Sequence, residues 1–231
     1  MKTVSENIKN IKMIVKSMRN AVEGIEIVAI SKTFGADLVF EALKCGITDI
    51  GESKIQEALP KFEALGDSLK GIKKHFIGHL QSNKAKKAVE NFDLIQSLDS
   101  LGLAKEINRH SYNIGKKQNC LIEVKVSKEI SKTGIAQQDI DGFYKECLNF
   151  PNILISGLML IPPANEDIEA ARPYFKKGFN VFNSLKSSFK NENFKVLSMG
   201  MSADFKIALE EGSNMIRIGS AIFGDRQYAN Q

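Results

Sequence analysis

The sequence predicts a single-domain α/β protein built as a (β/α)8 TIM barrel with an extra N-terminal helix. Three observations predict this class. From residue 25 onward, short β-branched or apolar runs alternate with longer helical patterns, which is typical of parallel-sheet units. About eight such runs occur, the number of strands that closes a barrel. No linker rich in Gly, Ser or Pro interrupts the alternation, so residues 1–231 are expected to form one domain.

The elements follow one another in a simple order. The first is an amphipathic helix, because Ile8, Ile11, Val15 and Met18 recur at helical spacing between polar residues. The strands are then predicted over residues 25–31, 49–52, 75–78, 94–98, 120–126, 154–161, 196–199 and 215–218. Helices are predicted between them over residues 36–44, 54–65, 84–91, 101–114, 137–149, 168–189 and 203–211.

An open doubly wound sheet is the alternative architecture, because the same alternation of strands and helices serves both folds. We favour the barrel, since so many consecutive units follow one another without a change of pattern.

The composition argues against several classes of protein. The net charge is +5, but the lysines are dispersed and no nucleic-acid motif accompanies them, so no nucleic-acid partner is expected. The start of the chain lacks the apolar region of a secretory signal and no later run approaches a membrane span, so we expect a cytoplasmic protein that does not contact membranes. Cys45, Cys120 and Cys147 lack the paired spacing of zinc or redox sites, which predicts reduced thiols and no metal.

Lys32 is the first candidate for chemistry. It stands at the C-terminal end of the first predicted strand, where barrels of this kind carry their active groups. Partial desolvation at the rim lowers a lysine pKa and frees the neutral amine that imine formation requires. Most lysines are solvated surface groups, however, so position alone does not single out Lys32.

The ends of the last two strands supply a second candidate feature, a phosphate site. Ser198, Gly200 and Ser202 lie in one loop, and Gly219 and Ser220 lie in the other. Barrels often bind phosphate at these strand ends, where glycine lets an anion approach backbone amides and seryl hydroxyls donate to its oxygens. Ser202 is also predicted to cap the helix that starts at residue 203. Ordinary turn chemistry is the alternative for either loop alone.

Arg217 lies on the final strand, and strand alternation points it into the barrel mouth. A guanidinium there needs an acceptor such as a pyridine nitrogen, a carboxylate or a phosphate; a salt bridge with an acid elsewhere in the chain is the structural alternative. His75 and His79 flank the end of the third strand. No acidic partner is identifiable for them, so we interpret both as packing or hydrogen-bonding residues rather than catalysts.

Six segments together carry a family resemblance. They are Ile27-Val-Ala-Ile-Ser-Lys-Thr33, Ile50-Gly-Glu-Ser53, His75-Phe-Ile-Gly-His-Leu-Gln-Ser-Asn-Lys84, Gly157-Leu-Met-Leu-Ile-Pro162, Leu197-Ser-Met-Gly-Met-Ser-Ala-Asp204 and Met215-Ile-Arg-Ile-Gly-Ser-Ala-Ile-Phe-Gly224. In this order they resemble the YggS/PROSC family of pyridoxal phosphate homeostasis proteins, over residues 25–226. Their joint occurrence is specific, although each segment alone is weak.

The resemblance implies a barrel like the N-terminal domain of alanine racemase, the fold-type III arrangement, with pyridoxal 5′-phosphate held as a Schiff base on Lys32. It further implies that Arg217 faces the pyridine nitrogen and that the phosphate is surrounded by Ser198, Gly200, Ser202, Gly219 and Ser220. The family usually has asparagine where this chain has Ser53, a shorter side chain, so any hydrogen bond near the cofactor would be lost, moved or bridged by water. Lys132-Thr-Gly134 matches a further family motif, which we expect to order a rim loop.

The implied site predicts binding rather than catalysis. A cation opposite the ring nitrogen disfavours its protonation and weakens the cofactor as an electron sink. We predict a monomer, without catalytic residues, that holds pyridoxal phosphate and delivers it to pyridoxal-phosphate-dependent apoenzymes in vitamin B6 and amino-acid homeostasis. The alternative is a slow amino-acid racemase. Related racemases take a second base from a tyrosine of a C-terminal β-domain, a role we do not expect for Tyr112, Tyr144, Tyr174 or Tyr228. A cofactor-dependent regulator acting through a protein partner is a third hypothesis.

Overall fold

Eight parallel strands close into a barrel in the computed structural model of this chain, which describes residues 3–18, 24–127 and 133–225. The strands are β1 (Glu26–Ile30), β2 (Asp49–Glu52), β3 (Lys73–Phe76), β4 (Leu94–Leu98), β5 (Gln118–Lys125), β6 (Ile135–Ala136), β7 (Ile153–Leu160), β8 (Val196–Met201) and β9 (Met215–Ile218). Neighbouring strands follow the order β4-β3-β2-β1-β9-β8-β7-β5, and β4 pairs with β5 to close the ring. The two-residue strand β6 adds to the edge of β5. The predicted barrel is confirmed.

Helices connect the strands and cover the outside of the barrel. They are α1 (Val4–Ser17), α2 (Ala36–Lys44), α3 (Ile55–Leu65), α4 (Ala85–Asn91), α5 (Leu101–Asn113), α6 (Ile140–Cys147), α7 (Arg172–Phe189), α8 (Phe205–Glu210) and α9 (Ser220–Phe223). The extra helix α1 begins with a capping box, in which Thr3 and Glu6 each accept the other's backbone N–H. Among the helices of the described residues, none has both the length and the apolar character needed to cross a membrane.

The predicted bounds differ from the observed ones mainly where pairing overrides local sequence. Strand β3 begins at Lys73 instead of residue 75, because Lys73 and Lys74 pair in register with Asp49 and Ile50 of β2 despite their polar side chains. The long helix predicted over residues 168–189 is interrupted at its start, where Ile168–Ala171 forms a 3-10 turn before α7. Strand β6 and helix α9 were not predicted, since two and four residues are too short to show periodicity.

The barrel interior is filled by a small apolar cluster, while a larger one lies between the strands and the helices. The interior cluster contains Val28, Ile30, Leu94, Leu121, Met159 and Met215. Gly51 on β2 faces this cluster, because a Cβ there would lie 2.6 Å from the Ile30 Cδ1 atom. Four of the buried polar side chains, His75, Gln96, Ser198 and Arg217, share hydrogen bonds within the ring of strands. The interior therefore contains both an apolar cluster and a set of hydrogen-bonded polar side chains.

Substitution of two glycines should separate backbone strain from helix propensity. Gly157 in β7 has φ +152°, and a Cβ there would overlap the main-chain oxygen of Val196. We expect Gly157→Ala to lower the free energy of unfolding by about 3 kcal/mol, because it adds both strain and overpacking. Gly142 in α6 is exposed, with open space around a Cβ, so Gly142→Ala should raise stability by up to about 1 kcal/mol. Urea unfolding of both variants checks this, and equal effects would contradict it.

Candidate functional site

Lys32 follows the C-terminal end of β1, and β1 lies between β2 and β9 in the barrel. Its side chain is half-buried. The next residue, Thr33, has φ +70°, in the left-handed region that β-branched residues rarely adopt. Such a conformation costs on the order of 1–3 kcal/mol and persists only where surrounding structure enforces it, commonly at functional sites. The backbone therefore holds an observable strain directly beside the candidate lysine.

A buried ion pair fixes the main chain that precedes Lys32. Lys61 of α3 donates to the carbonyl oxygen of Ser31 at 2.6 Å and to Oε1 of Glu52. The hydroxyl of Ser31 donates to the same carboxylate oxygen at 2.6 Å. All three side chains are buried, and Oε2 of Glu52 has no hydrogen-bond partner within the described residues. Because β1 and β2 pair in parallel, this cluster ties the ends of both strands to α3.

The ends of β8 and β9 converge on one hydroxyl. Ser202 does not cap a helix starting at residue 203, as the sequence predicts, because α8 begins two residues later at Phe205. Its oxygen instead accepts from the backbone N–H groups of Gly219 at 3.1 Å and Ala221 at 3.2 Å. Two amides at one point can equally donate to a phosphate oxygen. Ser220, between them, is exposed.

The two glycines of these loops have different environments. Gly200 has φ +93°, and a Cβ there would lie 2.6 Å from Ala208 Cβ and 2.9 Å from Phe205 Cα. The packing of α8 against β8 accounts for this glycine without a ligand. At Gly219, by contrast, a Cβ would meet no atom closer than the Ile30 oxygen at 3.5 Å. Protein packing does not require glycine there, which leaves the approach of a ligand as a reason for it.

Arg217 of β9 is 3% exposed, and its guanidinium has neutral acceptors. It donates to the Ser198 hydroxyl at 2.7 Å and to the Leu160 carbonyl oxygen at 2.9 Å. Within the described residues no carboxylate lies at ion-pair distance, so the predicted alternative of a direct salt bridge is not observed there. Burial lowers the pKa of Arg217 to about 10, although the charges of Asp204 and Glu123 oppose the shift. The side chain stays a cation at neutral pH, with N–H groups left for a further acceptor.

The remaining predicted residues lie around the same end of the barrel. Ser53 follows β2, is half-buried, and makes no side-chain hydrogen bond within the described residues. His79 lies after β3, and its Nδ1 is 3.2 Å from Oδ2 of Asp99. Lys132 lies outside the described residues, but Thr133 beside it donates to Oε1 of Glu123 at 2.8 Å.

Both histidines make hydrogen bonds, as predicted, but each has an acidic partner that the sequence analysis did not find. Those partners are Asp49 for His75 and Asp99 for His79. They are distant in sequence, and only the pairing of neighbouring strands brings them together.

Sequence reasoning missed several polar residues that line the barrel mouth or support it. A cavity of about 340 Å³ is lined by His79, Glu123, Thr133 and Ile161, and burial raises the pKa of Glu123 against the opposing hydrogen bond from Thr133. Gln96 of β4 lies two residues after Leu94, which belongs to the interior cluster. A polar residue at an inward position of an apolar strand is a signal that would have identified Gln96. Glu52 and Lys61 carried no comparable signal.

Comparisons with known proteins place the chain in one family. The family model for the alanine racemase N-terminal domain matches residues 6–227. A pyridoxal phosphate homeostasis protein of Aquifex aeolicus is 40% identical over 198 residues, 86% of each chain. Another, from Pasteurella multocida, is 33% identical over 231 residues, covering 98% of this chain and 99% of its own. The chain belongs to the pyridoxal phosphate homeostasis protein family.

A solved structure of a similar protein supports the same family at the level of the fold. PipY of Synechococcus elongatus, determined with pyridoxal phosphate bound, is 30% identical. It superposes with a TM-score of 0.87 over 96% of this chain and all of that one. The alanine-racemase-like barrel predicted from the sequence is thus confirmed for this member of the family.

Removing the buried ammonium beneath Lys32 should destabilise this family member strongly. Lys61→Met leaves Glu52 as a buried charge without its cation, which we expect to lower the free energy of unfolding by about 3–5 kcal/mol. Adding Glu52→Leu to Lys61→Met should recover most of that loss. Lys70→Met is the control, because its pair with Asp67 is exposed and worth less than about 1 kcal/mol. Chemical denaturation measures all three, and equal stability of Lys61→Met and Lys70→Met would refute the assignment.

Proposed function

We propose that this chain binds pyridoxal 5′-phosphate through an imine at Lys32 and acts in pyridoxal phosphate homeostasis by holding and delivering the cofactor without turnover. One observation carries the proposal. The end of β1, with Lys32, adjoins the end of β9, with a buried guanidinium and a pair of convergent amides. The names of the curated relatives and the cofactor bound to PipY support it.

When bound, pyridoxal phosphate supplies an aldehyde whose carbon takes up the neutral amine of Lys32, so that a C=N bond forms and a water molecule leaves. Lys32 meets the requirements for this step because it is half-buried at the rim, on a main chain fixed by the buried Lys61. A rigid support keeps the amine in one place, which favours intramolecular attack over dissociation.

The two ends of the ligand match two separate parts of the site. For the phosphate, the hydroxyls of Ser202 and Ser220 supply donors, and the amides of Gly219 and Ala221 would add two more if the Ser202 side chain turned away from them. For the ring nitrogen, the unused N–H groups of Arg217 supply a donor. The residues therefore fit an anion at one end and a neutral acceptor at the other. Ser198 supports the guanidinium, Gly200 packs against α8, and Ser53 extends the site toward β2.

Two features favour holding the cofactor over a turnover reaction: the charge of Arg217 and the placement of the described tyrosines. Arg217 keeps its positive charge at neutral pH, which disfavours a second charge on the ring nitrogen and limits carbanion stabilisation. Among the described tyrosines, Tyr112 is exposed on α5 and Tyr144 is buried among aromatic rings, where its hydroxyl accepts from Asn191. Tyr174 lies on α7, on the outside of the barrel. Tyr228 is outside the described residues.

The acceptors of the cofactor follow from the same proposal. A protein that holds pyridoxal phosphate reversibly can supply it to pyridoxal-phosphate-dependent apoenzymes, so these are the proposed partners. We propose that the protein is cytoplasmic, because it would encounter both the apoenzymes and the free cofactor there. We also propose that it is a monomer.

Borohydride trapping should place the cofactor on Lys32. Purified protein incubated with pyridoxal phosphate should absorb in the visible range, and reduction should fix the cofactor mass to the peptide that contains Lys32. Lys32→Ala should lose the adduct and the absorption band. Lys54→Ala, at an exposed lysine after β2, should keep both. Circular dichroism establishes that Lys32→Ala is folded, and a cofactor mapped to another lysine in the wild type would overturn the proposal.

A second experiment separates holding from racemisation. The loaded protein is mixed with an excess of a pyridoxal-phosphate-dependent apoenzyme, and the absorption band should decline as the acceptor gains activity. In parallel, incubation with amino acids in D2O should give no enzyme-like exchange of the α-hydrogen. Exchange at an enzyme-like rate that Lys32→Ala abolishes would favour the slow racemase. A band retained in the presence of the apoenzyme would favour the regulator.

A further inference from the structure

A continuous line of buried hydrogen bonds crosses the barrel interior. It joins Asp49 of β2, His75 of β3, Gln96 of β4, Ser198 of β8 and Arg217 of β9, each no more than 3% exposed. Successive heavy atoms are 3.0 Å apart between Asp49 Oδ1 and His75 Nε2, and 2.9 Å between His75 Nδ1 and Gln96 Nε2. The separations are then 2.7 Å from Gln96 Oε1 to Ser198 Oγ, and 2.7 Å from Ser198 Oγ to Arg217.

The direction of every bond in this line follows from its Arg217 end. A guanidinium only donates, so the Ser198 oxygen accepts from Arg217 and its single proton goes to Oε1 of Gln96. The amide nitrogen of Gln96 then points at Nδ1 of His75 and, at 3.3 Å, at the sulfur of Met215. Turning the amide over would set its oxygen against a thioether sulfur, which has no proton to donate. Gln96 is thereby held in one orientation.

The far end of the line is consistent with the same direction. Since Nδ1 of His75 accepts from Gln96, its ring proton lies on Nε2 and is donated to Asp49. Burial tends to raise the pKa of Asp49, but hydrogen bonds from His75 and Thr48, together with the charges of His75 and Lys73, lower it overall. Thr48 donates to the other carboxylate oxygen at 2.6 Å, and the Lys73 ammonium is 4.0 Å from Asp49 Oδ1. The hydrogen bonds around His75 therefore place its ring proton on Nε2, from which it is donated to the ionised carboxylate of Asp49.

We propose that His75 and Gln96 are positioning residues, which act through Ser198 to aim the Arg217 guanidinium at the ring of the bound cofactor. The inference rests on the proposed function for its ligand, whereas its hydrogen-bond order belongs to the protein alone. The orientation of Gln96 thus links Nδ1 of His75 to the Ser198 hydroxyl that accepts from Arg217.

Stability of the barrel alone would not require His75 and Gln96 to be connected to Arg217. Asp49 needs only Thr48 and Nε2 of His75, whereas Nδ1 of His75 is bonded by Gln96, and a buried amide is costly unless both of its ends are bonded. Gln96 meets that requirement only because it bridges the pair to Ser198. The bridge adds a fixed direction for the Ser198 hydroxyl proton, which points to Gln96. A lone pair of the Ser198 oxygen therefore faces Arg217.

The first test uses the protein without ligand. The chain has three histidines, so 15N NMR of the imidazole rings at about pH 8 can be assigned by substitution. We expect His75 to be the neutral tautomer with its proton on Nε2. In Gln96→Glu the carboxylate cannot donate to Nδ1, so both His75 nitrogens should carry protons. Ser97→Ala is the matched control, because the adjacent Ser97 hydroxyl is buried without a hydrogen-bond partner among the described residues, and it should leave the His75 signals unchanged.

The second test measures the cofactor end of the line. Gln96→Glu and Gln96→Leu should each bind pyridoxal phosphate about tenfold more weakly than the wild type and shift the pH midpoint of the bound cofactor's absorption band. Ser97→Ala should do neither. If Gln96→Leu does not fold, the near-isosteric Gln96→Glu still gives both readouts.

Two outcomes would overturn the inference. One is an Nδ1-protonated tautomer of His75 in the wild type; the other is a Gln96→Glu variant whose His75 signals, affinity and pH midpoint match those of Ser97→Ala. Failure of the wild type to bind the cofactor would instead overturn the proposed function, because the NMR result does not depend on the ligand.

Discussion

A positive charge enclosed in a barrel is the constraint on which the site depends. The Arg217 guanidinium is nearly inaccessible to water, and two of its acceptors, the Ser198 hydroxyl and the Leu160 carbonyl oxygen, carry no net charge. Enclosing such an ion costs several kcal/mol unless its hydrogen bonds are made. Asp204 and Glu123 offset the cost only from a distance, and the pKa of Arg217 falls to about 10. The buried polar side chains of the interior supply hydrogen bonds that accommodate this charge.

The two parts of the candidate site are supported from opposite sides of the sheet. The end of β1 is held from outside the barrel, where the buried Lys61 of α3 binds the Ser31 carbonyl and Glu52. The Arg217 guanidinium is held from inside, by hydrogen bonds that run across the barrel to Asp49. These two sets of hydrogen bonds have no residue in common. A group at the end of β1 and a group on β9 are thus held by two separate supports and by the direct pairing of the two strands.

Local rules predicted the features that local sequence determines. Strand alternation correctly sent Arg217 inward, and the position of Lys32 at a strand end is as predicted. The hydrogen-bond network around them could not be predicted from the sequence, because Gln96 and Ser198 are 102 residues apart and meet only when the barrel closes. The prediction that Ser202 caps a helix starting at residue 203 was wrong for a related reason. A capping hydroxyl and one that crosses to the next strand look identical in sequence, and the pairing of β8 with β9 decides between them.

The hydrogen bonds of Arg217 fit the proposed role of holding a cofactor. Two of the guanidinium N–H groups have acceptors within the barrel, so the charge is tolerated, and N–H groups remain for one more partner. In the proposed complex a neutral ring nitrogen would fill that need, whereas a protonated one would meet a fixed positive charge with little water to screen it. The interaction that tightens binding would thus withhold the ring protonation on which a strong electron sink depends. On this proposal, affinity for the cofactor and restraint of its chemistry have a single physical origin.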